Sequence, residues 1–178
     1  KGRAWYEGLM NRTKKLDSPV YAHGFLQGRR REGAAVVQFT TTHRLRQAGI
    51  SSITTLHDNR NAFASPYHEE FEEVARDFVK AEEVDFFAQR CKYGVVHVVA
   101  ADGEADYLIG RGGLMGDHPI PRMFVKILDK PVREWNISQM NSSTGVELYG
   151  RCPVCNRMLN CSLTGFADDL SRIHIVKD

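Results

Sequence analysis

Long apolar runs are absent from this chain. The most apolar stretch, "VVHVVA" at 95–100, is far shorter than the roughly 20 residues a membrane-spanning helix needs. The opening "KGRAWYEGLM" has no apolar signal-peptide core. Internal repeats and low-complexity tracts are missing as well, which sets aside solenoid and fibrous architectures. G-x-S-x-G does not occur, so the nucleophile elbow of a serine hydrolase is excluded. What remains is an intracellular reading, nuclear or cytoplasmic, without a membrane partner. Four N-x-[ST] triplets, at Asn11, Asn136, Asn141 and Asn160, keep secretion open.

In its 178 residues, 42% of them hydrophobic, the chain has material for one core, or one core and a small appendage. It opens on Lys1 rather than Met and reads as a piece of something longer, whose other domains or subunits would be partners. The net charge of +2 conceals an asymmetry. Residues 1–65 carry +7, residues 66–106 carry −7 and residues 107–178 carry +2. A basic first third suits phosphates, and an acidic middle suits basic partners or its own basic segments.

Cysteines are few, yet three of the four crowd into "RCPVCNRMLNC", residues 151–161. Disulfides remain an alternative, with Cys161 left to pair with Cys91 if the C-x2-C pair closes on itself. The crowding suits a metal better. A C-x2-C turn folds two thiolates toward one point, and zinc takes Cys and His ligands in a tetrahedral shell. Cys152, Cys155 and Cys161 supply three ligands, and His174, twelve residues further on, leads as the fourth. His118, Cys91 and His97 are alternatives. Three Cys and a His would close the shell, which makes the zinc structural rather than catalytic. His68-Glu69-Glu70 spells a deaminase-like H-x-E, but it lies over eighty residues from the cysteines, so neither a zinc-dependent enzyme nor a cysteine hydrolase is favoured.

The clearest local signal is 65–91. Ser65 suits an N-cap, Pro66 a first helical position, and Phe71, Val74, Phe78, Val84, Phe87 and Cys91 trace an apolar face, with a break expected near Lys80–Glu83. Residues 3–13 fit a short helix, 34–40 a strand, and 42–49 a short helix stopped by Gly49. Ile50, Ile53 and Leu56 have helical spacing in a strand-leaning composition. Residues 95–109 have the pattern of a β-hairpin turning at Asp102-Gly103. "GRGGLMGDHPIPR" reads as a loop after which Pro119 and Pro121 let no helix begin. "MFVKILDKPV" reads as a strand, and two short strands flank the cysteine turn.

The expected class is α+β: antiparallel strands and hairpins around a central helical segment at 65–91, with a C-terminal zinc-ribbon-like knuckle. Residues 1–145 form the body and 146–178 the knuckle segment packed on it. The leading function is a zinc-stabilised DNA- or RNA-binding module of a larger protein. Its contacts would be Arg29, Arg30, Arg31, Arg44, Arg46, Arg111, Arg151 and Arg157, with aromatics interleaved for stacking. The rival is a protein-interaction module with the acidic helix as its docking face.

Overall fold

A computed structural model describes residues 8, 19–26, 28–113, 117, 119–141, 146–151, 156 and 158–176. The expected helix at 3–13 therefore lies outside the described residues, except for Gly8. Four α-helices and three antiparallel sheets appear among them, an α+β fold. No helix among the described residues is long and apolar enough to cross a membrane. The chain divides into two compact units. One holds Asn61–Ile127, and the other the described parts of Ser18–Arg60 and Leu128–Asp178.

The second unit begins with α1, Arg31–Gln47. This corrects the expected strand at 34–40, which is helical and continuous with 42–47. Gly33, Ala34, Val37, Gln38, Thr41, Thr42 and Leu45 are its less exposed positions, at helical spacing. That inward stripe is hardly more apolar than the outward one, so the sequence shows no clean period. Gly49 adopts φ +70°, and Ile50 N–H returns to Leu45 O at 2.9 Å, ending the helix as expected.

Ile50, Ile53 and Leu56 do not build a helix: β1 spans Ser52–His57, as the β-branched content favours. It pairs with β7, Asp169–Ile175, which also pairs with β6, Leu163–Phe166, giving the order β1-β7-β6. Ala34 and Gln38 of α1 line a groove of about 410 Å³ with Leu56, Thr164, Phe166 and Ser171, which alternation puts on one sheet face. On the other face Leu163 and Leu170 pack with Val132, beside Tyr21, Leu128 and Trp135.

Val132 and Trp135 belong to α4, Ile120–Met140, where a strand was expected. Pro121 sits in the first turn, where its missing N–H costs nothing. Pro131 lies inside the helix and removes a backbone donor. The helix persists because burial holds it on both sides of that position: Met123 and Phe124 in the first unit, Val132 in the second.

In the first unit, α2 runs His68–Phe78 and α3 runs Ala81–Lys92. The break falls at Val79–Lys80, next to where the sequence placed it. The cap is Tyr67 rather than Ser65, and its N–H donates to Glu70 Oε2 at 2.7 Å. Phe71, Ala75, Phe87, Cys91, Ile120 and Met123 form the core of this unit. Two strands, β2 (Val95–Ala100) and β3 (Gly103–Leu108), make the expected hairpin. The glycine loop is packed rather than free: Gly112 has φ +81°, and a Cβ there would meet Ala64 Cα at 2.4 Å. Phe71 is fully buried. Phe71→Ala is expected to cost about 3–5 kcal/mol in urea denaturation, and a loss below about 1 kcal/mol would contradict this core.

His23 N–H donates to Gly165 O at 2.8 Å, and its ring lies against α1 so closely that a Cβ on Gly33 would come within 2.9 Å of Nδ1. Burial, and then the Arg29 charge, hold the His23 pKa below the ordinary 6.5. The folded state thus takes up its proton later than the unfolded chain does. Stability is fully present above pH 6.5 and falls as pH drops through that value toward the folded pKa. The pH dependence of the urea midpoint should show this fall, and His23→Gln should flatten it.

Candidate nucleic-acid interface

The positions proposed for phosphate contact do not share one role. Arg29 is turned inward: its guanidinium donates to the carbonyls of Pro19, Val20 and Ala22 and ties that loop down. Burial lowers its pKa. It acts as a clamp within the fold. Arg30 is the N-cap of α1 and Arg31 its first residue, both exposed. Cations here face the positive end of the helix dipole, which disfavours them. With Val20, Tyr21, His23 and Asn160, Arg29 and Arg30 line a cavity of about 480 Å³.

Arg44 and Arg46 lie in the last turn of α1, roughly 20 Å from Arg31 at about 1.5 Å rise per residue. Both are exposed, and there the dipole favours them. Arg151 is exposed on β4, Tyr149–Arg151, and donates to Asn156 Oδ1 at 3.4 Å. Arg111 belongs to the first unit and is exposed. Arg157 lies outside the described residues.

Between the two arginine groups α1 turns outward a set that charge reading alone passes over. Phe39 is 74% exposed and Val36 62%. The Phe39 ring lies nearly parallel to that of His43, at 4° and 6.3 Å between centroids. The pair is one helical turn apart, at i and i+4. The signal in the sequence was "FTTTH", an aromatic and an imidazole four apart, legible only once the segment is known to be helical. The unit that carries α1 holds twelve Lys/Arg against eight Asp/Glu, whereas residues 61–127 hold seven against twelve.

Two strands flank the cysteine turn as expected: β4 pairs with β5, Met158–Asn160. Cys152 and Cys155 between them lie outside the described residues, as does His118. Cys161 carries a free thiol, 3.5 Å from Leu159 O. The β6–β7 register, continued past Ser162 and Ile173, leads to Cys161 opposite His174. The backbone turns away at that point: Cys161 N–H donates to Leu148 O at 2.6 Å and Ser162 N–H to Asn160 Oδ1 at 2.9 Å. His174 Nε2 lies 3.2 Å from Thr55 Oγ1. Burial, then the Arg172 charge and His57, lower the His174 pKa, which favours the neutral ring, the form that binds metal. Among the described residues no three Cys, His, Asp or Glu side chains stand together as a metal site.

The two described alternative ligands, Cys91 and His97, are engaged elsewhere. Cys91 is a free thiol buried in the first core, its pKa pushed up to about 11 by burial and the nearby Asp117. A thiol so held is a packing group, not a nucleophile. His97 Nδ1 is 2.7 Å from Asp106 Oδ1. Arg76 of α2 pairs within its helix with Glu72 at 2.7 Å, and Arg90 of α3 pairs with Asp117, beyond the helices, at 2.8 Å.

No family model matches this sequence, and no curated protein resembles it significantly.

Proposed function

We propose that this protein is a nucleic-acid-binding module of a larger assembly, with α1 as its contact element and a structural zinc at the cysteine turn. The observation that carries the reading is Phe39, which is 74% exposed beside the parallel ring of His43, between arginines at both helix ends. An aromatic held in water on a basic helix is a stacking platform for an unpaired base, each stacked base contributing about 1–3 kcal/mol. Arg44 and Arg46 supply phosphate contacts on one side. Arg30 and Arg31 gain a reason for sitting against the helix dipole, because a bound phosphate at a helix N-terminus reverses the local charge. Arg151 extends the basic surface of the same unit. Single-stranded ligands fit this chemistry best, since a base must be free to stack.

The zinc would be held by Cys152, Cys155 and Cys161, with His174 as the fourth ligand. It would fasten the β4–β5 hairpin, which is only three residue pairs long. The rival reading, a protein-docking surface on the acidic helices α2 and α3, rests on their charge alone.

Binding is expected to single-stranded oligonucleotides at micromolar protein, weakening steeply with salt. The double variant Arg44→Ala, Arg46→Ala should reduce the slope of log K against log salt by about 1–2. Phe39→Ala should weaken binding about tenfold or more with the slope unchanged. Fluorescence anisotropy across salt concentrations measures both, and salt-independent or absent binding would remove the reading. Separately, metal analysis should find one zinc per chain, lost in Cys152→Ser. A metal-free wild type, or a variant that keeps its zinc, would remove the metal site.

A further inference from the structure

The β2–β3 hairpin is bare on both faces. Of its twelve residues only Val96 is half-buried, and the rest are exposed, including Val95, Val98, Val99, Tyr107 and Leu108. A two-stranded hairpin alone in water is marginal. Its β2 edge also lacks the usual protections: it carries no Lys, no Pro and no bulge. Strand β2 has no neighbour but β3 among the described residues.

We propose that β2 pairs with β2 of a second copy of this chain, antiparallel about a dyad at His97, to form a four-stranded sheet. Three observations select this occupant. First, Val95-Val96-His97-Val98-Val99 is a palindrome. An isologous contact requires a self-complementary surface. A dyad at His97 sets Val95 against Val99 of the second copy and Val96 against Val98, all β-branched cross-strand pairs.

Second, the backbone has the parity this register needs. Ile109 N–H donates to Gly94 O at 3.0 Å, and the hairpin register is Val95↔Leu108. Alternation then turns the N–H and C=O groups of Val96, Val98 and Ala100 toward β3 and those of Val95, His97 and Val99 toward the open side. The dyad pairs these odd-numbered residues with one another, which gives about six hydrogen bonds between copies.

Third, charge chooses the edge. Strand β3 carries Glu104 and Asp106, which would repel their copies if β3 edges met. Strand β2 carries no acid, and its His97 is held by Asp106 at 2.7 Å and Glu104 at 3.6 Å.

Sedimentation velocity of the full chain over a dilution series tests this. The wild type is expected as a dimer that dissociates on dilution. Val99→Lys puts a charge at the new seam on a position 66% exposed in the single chain, and should raise the dissociation constant at least about tenfold. Val99→Pro removes an outward N–H without touching the β3 ladder and should leave monomer. Leu108→Lys, on β3, should leave the dimer intact. Far-UV circular dichroism checks each fold, and Val99→Lys decides alone should Val99→Pro disturb it. A wild type monomeric at about 100 μM, a dimer that survives Val99→Lys, equal loss in Leu108→Lys, or growth beyond two chains would each overturn the proposal.

Discussion

A guanidinium with no exposed surface organises the second unit. Arg172 lies on β7, at 0% exposure. Burying such a charge costs several kcal/mol unless neighbours replace its water. Here the direct neighbours come from α4, and a carboxylate extends the network to two strands. Asn136 of α4 accepts from Arg172 through Oδ1, and Trp135 of the same helix lies with its ring centroid 5.6 Å from the guanidinium. Asn136 also donates to Glu147 at 3.1 Å, and Glu147 accepts in turn from Asn160 of β5 and from the Tyr149 hydroxyl of β4. The sheet, the second half of α4 and the β4–β5 hairpin are thus tied through one buried cation and one carboxylate. Burial lowers the Arg172 pKa and Glu147 opposes the shift. The Nε and Nη2 groups of Arg172 find no acceptor among the described residues, so the compensation is partial.

That network sorts the arginines by task. Arg172 and Arg29 serve the fold, one in a polar core and the other on three backbone carbonyls. Arg44, Arg46, Arg30, Arg31 and Arg151 remain at the surface of the same unit. The reading of α1 as a contact element rests on this division: the helix buries Leu45 and half-buries Val37 among small and polar residues, and leaves Val36, Phe39 and His43 outside. A helix that needed only to pack would not leave Val36 and Phe39 in water. The first unit is built more plainly, on Phe71, Phe87, Met123 and Ile120, with acidic residues along its helices.

Signals that act within a few residues were legible in the sequence. The hairpin formed where expected, its turn at Ala101-Asp102 falling one residue before the expected Asp102-Gly103; Gly49 stopped a helix, and the apolar face of 65–91 was helical with its break almost in place. The class, α+β with antiparallel sheets, followed from these elements. The segments misread were those whose composition points two ways. Val36 and Val37 favour strand, yet 34–40 lies mid-helix. Pro131 argues against helix at "MFVKILDKPV", yet α4 runs through it because Met123 and Val132 are buried at 0% and 3%.

The same contrast holds at the candidate site. Composition and spacing alone determined that one end of the chain is basic, that three cysteines crowd into eleven residues, and that "VVHVV" reads the same in both directions. Only the tertiary structure decided which arginines are spent, that an aromatic stands outside on α1, and that the valine palindrome lies on an open edge. Charge, caps and turns act over a few residues and are written locally. Burial depends on what the rest of the chain brings to the same place, and no short window of sequence contains that.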